Sequence, residues 1–94
     1  MLNSKQKKFL RSEAHSLKPI FQVGKDGVGE KQINRINDAL KAKELIKVKL
    51  LDTCPETVNE VALEISMGTK ADVVHIIGHT IVFYKSSEKG IYKI

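Results

Sequence analysis

The sequence predicts an α/β fold: a two-layer sandwich of helices on a four-stranded mixed sheet, forming one domain over residues 1–94. Three observations predict it. Helix-spaced and strand-spaced apolar patterns alternate along the chain in the order α-β-α-β-α-β-β. Within Leu45–Leu51, Ile46, Val48 and Leu50 alternate with Lys47 and Lys49, the pattern of a strand with one buried and one wet, basic face. The chain closes on two runs rich in β-branched and aromatic residues, split by Gly78-His79, which fits a two-residue hairpin turn with glycine first. Helix-linked strands imply parallel neighbours and a hairpin implies an antiparallel pair, so the sheet is mixed.

Each element has its own signal. Asn3 or Ser4 can cap a first helix that runs to about Ser16, with Phe9, Leu10, Ala14 and Leu17 as its apolar stripe. Pro19 stops it, because the residue before proline avoids helical angles. Ile20–Val23 reads as a short strand and Gly24-Lys25-Asp26-Gly27 as a turn. A second helix runs from Val28 to about Lys43, marked by Ile33, Ile36, Ala39 and Leu40. After the Leu45–Leu51 strand, Asp52 or Thr53 precedes Pro55, which suits the first position of a third helix. Val58, Val61, Ala62 and Ile65 give its stripe, and Gly68 is its expected stop. Residues 72–77 and 80–85 are the hairpin strands.

Composition narrows the function. Aromatics are 5% with no Trp, too few for a surface of several stacked rings. One cysteine excludes an internal disulfide and a multi-Cys zinc site. No apolar run approaches the roughly 18–20 residues of a membrane span, and the opening MLNSKQKKFLRS is too polar for a signal peptide. The expected compartment is therefore cytoplasmic, with no membrane partner. Charge is distributed unevenly. Residues 1–50 hold twelve Lys/Arg and five Asp/Glu; residues 51–94 hold four and six. A basic half joined to a slightly acidic half suggests attraction to a polyanion.

Catalytic chemistry finds little support. Cys54, ahead of a helix start, has no histidine nearby in sequence, and His75 and His79 have no Cys or Glu at ligand spacing. No acid/base pair, P-loop or dinucleotide fingerprint is present. No enzyme, catalytic residue, metal, cofactor or small-molecule substrate is expected. The Gly24–Gly27 turn is more suggestive. Its glycines let a sugar-phosphate backbone approach, the following helix start offers free N–H groups, and Lys25 adds a cation. Lys5, Lys8, Arg11, Lys18, Lys25, Lys31, Lys47 and Lys49 form the basic set, and Lys8 and Arg11 neighbour each other on one helix. Phosphate contacts of this kind give affinity with little sequence reading. Phe21, Phe83 and Tyr84 lie in strands, as core rather than stacking platforms.

Leu10-Arg11, Ala14-His15, Leu17-Lys18-Pro19, Val23-Gly24-Lys25-Asp26-Gly27 and Glu44-Leu45-Ile46-Lys47-Val48 occur in that order, followed by Ile77-Gly78 and Tyr84-Lys85. This ordered set, spanning about residues 4 to 86, resembles the CRM domain (chloroplast RNA splicing and ribosome maturation) in its stand-alone bacterial, YhbY-like form. The resemblance implies a non-catalytic RNA-binding module associated with precursors of the large ribosomal subunit. It implies a fold similar to the C-terminal domain of a bacterial translation initiation factor. It also likens Gly24–Gly27 to the backbone-clamping G-x-x-G loop of KH domains. Two positions depart from the pattern: His79, where relatives often carry Lys or Arg, and Gly29, where they often carry a capping Thr.

The expectation is a monomeric RNA-binding protein that assists large-subunit assembly on ribosomal RNA. Its site residues are Lys8, Arg11, Lys18, Gly24, Lys25, Asp26, Gly27 and Lys31. The alternative is a module that docks on a ribosomal or translation protein, its basic face serving solubility.

Overall fold

A computed structural model describes residues 2–94. The elements are α1 (Ser4–Ala14), β1 (Phe21–Val23), α2 (Glu30–Lys43), β2 (Leu45–Leu50), α3 (Val58–Thr69), β3 (Asp72–Ile77) and β4 (Thr80–Tyr84). The sheet order is β1-β2-β4-β3. β1 runs parallel to β2, and β4 is antiparallel to both β2 and β3, as the helix connections and the hairpin require.

The alternation in β2 and β4 divides the molecule. Ile46, Val48 and Leu50 of β2, with Ile81 and Phe83 of β4, pack on Ile36, Leu40, Val61, Ala62 and Ile65 of α2 and α3. Leu45, Val82 and Tyr84 point the other way and meet Leu10 and Ala14 of α1. The expected two layers are therefore α2/α3 and the sheet, while α1 adds a third layer on the opposite face. Full burial of Leu10 contributes about 1.5–3 kcal/mol to holding α1 there. Phe9, read as part of the apolar stripe, is exposed, and Leu17 is only half-buried.

Several boundaries move for local reasons. α1 ends at Ala14 rather than Ser16, because the chain tightens into i→i+3 bonds from His15 N–H to Ser12 O and from Leu17 N–H to Ala14 O. α2 begins at Glu30, two residues after the expected Val28. α3 begins at Val58 instead of Pro55, because Thr57 and Glu60 form a reciprocal capping box: Thr57 Oγ1 accepts from Glu60 N–H at 3.2 Å and Glu60 Oε1 from Thr57 N–H at 3.0 Å. Gly68 does not stop α3. It lies within the helix, and a Cβ there would stand 2.9 Å from Ile33 Cγ2 of α2. The stop is Lys70, in the left-handed region at φ 63°, with its N–H bonded to Ser66 O.

β3 carries a bulge. Val73 pairs with Phe83 and His75 with Val82, leaving Val74 as the extra residue. Val74 and His75 therefore both fall on the α1 face, while Ile76 returns to the other. At the hairpin turn only Gly78 has positive φ, as glycine-first geometry demands. On β1, the Gln32 side-chain amide donates to the Gln22 carbonyl at 2.8 Å.

A buried carboxylate ties down the C-terminal segment. Glu44, the C-cap of α2, is fully buried and takes φ 66°, ψ −42°. It accepts from Ser87 N–H, Ser87 Oγ and Tyr92 N–H. Burial works against its charge, but these bonds outweigh it and hold the carboxyl below its ordinary range. Tyr92 then meets Tyr84 edge to face, with ring centroids 6.3 Å apart.

Candidate nucleic-acid interface

Because β1 and β2 are parallel, their C-terminal ends emerge on one side of the sheet, beside the hairpin turn. Leu51 N–H bonds to Val23 O at 2.9 Å and Leu50 N–H to His79 O at 2.7 Å, so three connections are knit together there. One of them is the Gly24–Gly27 turn, closed by Gly27 N–H donating to Gly24 O at 3.0 Å. Gly27 sits at φ 66°, where a side chain is strained. Lys25 and Asp26 are exposed at the tip.

The bare sides of the glycines meet this chain's own β2–α3 loop. A Cβ on Gly24 would lie 3.5 Å from Leu51 Cδ1 and 3.6 Å from Thr53 Oγ1; on Gly27 it would lie 2.9 Å from Glu56 Oε1. In this structure the missing side chains thus admit a neighbouring loop. A carboxyl pair stands behind Gly27: the hydrogen bond that the protonated Glu64 carboxyl donates to Glu56, then burial and the Glu56 and Glu60 charges, raise the Glu64 carboxyl above its ordinary range.

The turn leads directly into α2. Gly29 is its N-cap and makes no side-chain hydrogen bond, so no capping side chain occupies the first N–H groups of this helix. Lys31, exposed in the first turn, adds a cation beside them.

The second cationic feature lies on the α1 face. Lys8 and Arg11, with His15 one turn on, border a groove of about 320 Å³ whose far wall is Lys47, His75, Ile77 and Val82. The groove follows from register: Lys47 of β2 and His75 of β3 both pair with Val82 of β4, so the three form one row across the sheet. Lys47 Nζ donates to Leu17 O at 3.0 Å, which fixes it under the α1–β1 connection. Burial, then the charges of Arg11 and His15, hold the His75 imidazole below its ordinary range. Lys49, exposed on the same face, pairs with Thr80 in the next row toward the glycine turn.

The structure thus brings Lys8 and Arg11 together in one groove, and Gly24, Lys25, Asp26, Gly27 and Lys31 together around one turn. Lys18 stands apart from both, beside Lys43 and Leu45 at the opposite ends of β1 and β2. Sequence reading singled out neither His15 nor His75 as a groove residue. Helical spacing from Arg11 could have found His15, but the bulge hides His75. Cys54 packs half-buried against the core. Among the described residues, no group of three or more His, Cys, Asp or Glu could hold a metal, and no helix is long and apolar enough to cross a membrane.

Comparison with known proteins places this geometry. Residues 2–85 match the CRS1 / YhbY (CRM) domain. The chain belongs to the CRS1 / YhbY (CRM) domain family. It is 53% identical over 90 residues to "Probable RNA-binding protein YqeI" of Bacillus subtilis (strain 168), covering 96% of this chain and 94% of that one. It is 41% identical over 89 residues to an "RNA-binding protein" of Haemophilus influenzae, covering 95% and 90%. The solution structure of SAV1595 from Staphylococcus aureus superposes with a TM-score of 0.81 at 43% identity, over 96% of this chain and 94% of that one. The α-β-α-β-α-β-β order and four-stranded mixed sheet of this CRM domain are thus shared with a solved structure.

Proposed function

We propose that this CRM-family protein binds RNA without catalysing a reaction on it, and that its RNA is ribosomal, in precursors of the large subunit whose assembly it assists in the cytoplasm. One observation carries the reading: a closed glycine turn with Lys25 at its tip runs straight into a helix whose first N–H groups no side chain caps, with Lys31 beside them. Backbone donors, a helix N-terminus and two mobile cations are what a phosphate needs. The relatives' names support RNA as the polyanion. The ribosomal assignment rests on the family resemblance of the ordered motifs.

Gly24 and Gly27 act here by letting the turn fold tightly against the β2–α3 loop, with Lys25 and Asp26 exposed at its tip. Lys8 and Arg11 extend the cationic surface on the α1 face. Crosslinking in cells, followed by sequencing of the attached RNA, tests the reading. Reads concentrated on large-subunit precursor RNA are expected. Reads spread over messages or transfer RNA would remove the ribosomal role. Absence of crosslinked RNA, with a ribosomal protein recovered instead, would favour the protein-docking alternative.

A further inference from the structure

The groove on the α1 face has a composition that packing alone does not explain. Lys8, Arg11 and His15 come from α1, Lys47 from β2 and His75 from β3, and no carboxylate lines it. Ala14, Ile77 and Val82 supply its apolar lining. The row Lys47–Val82–His75 sets the two sheet residues about 10 Å apart, two strand spacings, with α1 overhead. Lys8 and Arg11 of α1 and Lys47 of β2 thus converge, beside the His15 and His75 imidazoles, on a concave, half-open space that no opposite charge lines. In the free protein that arrangement is self-repelling. An anion in the space would relieve it.

We propose that this groove is a second anion seat, separate from the glycine turn, that takes a backbone phosphate of the bound RNA between Lys8, Arg11 and His15 of α1 on one side and His75 of β3 on the other. The inference rests on the RNA-binding reading above and deepens it. The shared chemistry is a phosphate group, which an RNA strand or a free phosphate ion could supply. This apolar lining favours a phosphate that carries a ribose, because it offers the sugar's carbon face a surface that an ion does not use. Lys49, exposed on the same face between groove and turn, continues the cationic path from one site to the other.

Seating a phosphate here takes up protons. The groups facing His75 are Lys8, Arg11 and His15 from α1 and Lys47 from β2; β4 presents only Val82. Asp72 lies at the far end of β3, beside Tyr84, and Glu13 acts on Tyr92 instead. Burial first, and then the charges of Arg11 and His15, hold the His75 imidazole below its ordinary range, and a phosphate opposes the second of these causes. Affinity therefore rises as pH falls through the histidine range.

The test is an NMR titration of the isotope-labelled full chain with a 20-nucleotide oligouridylate, reading the His15 and His75 imidazoles and the Gly24–Gly27 amides separately. Both sets are expected to shift along one saturation curve, with the His75 midpoint moving up. Affinity should tighten roughly three- to tenfold between pH 7.5 and 5.5, the scale of one or two coupled protons. His75→Gln should flatten that pH dependence, whereas His79→Gln at the hairpin tip should retain it. Inorganic phosphate at matched phosphate concentration should leave the imidazoles unmoved. Three results would overturn the proposal. If RNA moves the turn amides but neither imidazole, the groove falls while the turn reading stands. If RNA moves neither set, both fall. If phosphate alone reproduces the imidazole shifts, the seat is one for free anions.

Discussion

Glu44 and Ser87, 43 residues apart in sequence, are joined by two hydrogen bonds: the Ser87 hydroxyl donates to Glu44 Oε2 at 2.6 Å and the Ser87 N–H to the same oxygen at 2.8 Å. A third donor, Tyr92 N–H, reaches Oε1 at 3.1 Å. The end of α2 is thereby the anchor of the last ten residues, and Lys85 N–H completes it by bonding the Glu44 carbonyl at 2.9 Å.

Glu44→Ala should destabilise the fold by about 1–3 kcal/mol, the cost of leaving buried donors without a partner. Glu44→Gly should cost less than Glu44→Ala, because glycine accepts φ 66° without strain and alanine does not. Urea unfolding of the two variants separates the lost carboxylate from the backbone term. Equal stability of Glu44→Ala and the parent would contradict the anchor.

The same residue sets an acid limb. Its carboxyl is held below its unfolded value, so the stability it contributes is present above that value and is lost as pH falls through the lowered one. Unfolding free energy should therefore fall on acidification below about pH 4.5, the ordinary carboxylate range. Glu44→Gln should be less stable at neutral pH and show a shallower acid limb. A parallel curve for the variant would exclude Glu44 as its source.

Gly27 and Gly24 should respond differently to alanine. At Gly27 the new Cβ meets both a left-handed backbone and the Glu56 carboxylate at 2.9 Å, and a loss of about 1–2 kcal/mol is expected. At Gly24 the nearest atoms lie at ordinary contact distance, and the change should stay within about 0.5 kcal/mol. Thermal denaturation of both variants decides whether the turn is held as described.

Gly68→Ala pits helix propensity against packing. Alanine would gain about 1 kcal/mol in an open helix. Here its Cβ would meet the Cγ2 and Cδ1 methyls of Ile33 at 2.9 and 3.0 Å, and this β-branched side chain is stiff at χ1, so a net loss is expected. In an Ile33→Ala background the same substitution should become neutral or favourable. A double-mutant cycle reads the coupling, and additivity would show that α2 and α3 do not touch there.

Lys25→Ala should weaken binding to many RNAs alike and make the salt dependence shallower by about one counterion. Gly29→Ser should strengthen the fold by a few tenths of a kcal/mol through a new cap while occupying an N–H at the α2 start, so RNA affinity should fall as stability rises. Filter binding over a salt series checks both. Improved affinity for Gly29→Ser would contradict the role given to that helix start.

The strand pattern from Ile46 to Leu50 is legible because one side of β2 is apolar and the other is lysine, and a period of two admits no other register. The hairpin at Gly78 is legible for a similar reason, since only glycine fits its first turn position. The α3 cap is also written in the chain as Thr57-x-x-Glu60, but Pro55 sets the boundary three residues too early. Gly68 misled because a glycine that serves a helix–helix contact has the same letter as one that ends a helix. The placement of α1 was beyond local reading: its stripe shows that Leu10 and Ala14 are buried, not which side of the sheet buries them. His75 was hidden by Val74, since a single extra residue inverts the parity on which facing is judged.

The Gln32–Gln22 contact bears on how copies of the chain meet. β1 offers only three residues to any strand that might join the sheet from outside, and the outward carbonyl of its middle residue is already taken by the Gln32 amide. Lateral growth by strand addition is thus discouraged along this rim, which leaves the neighbouring glycine turn accessible without a second chain pairing across it.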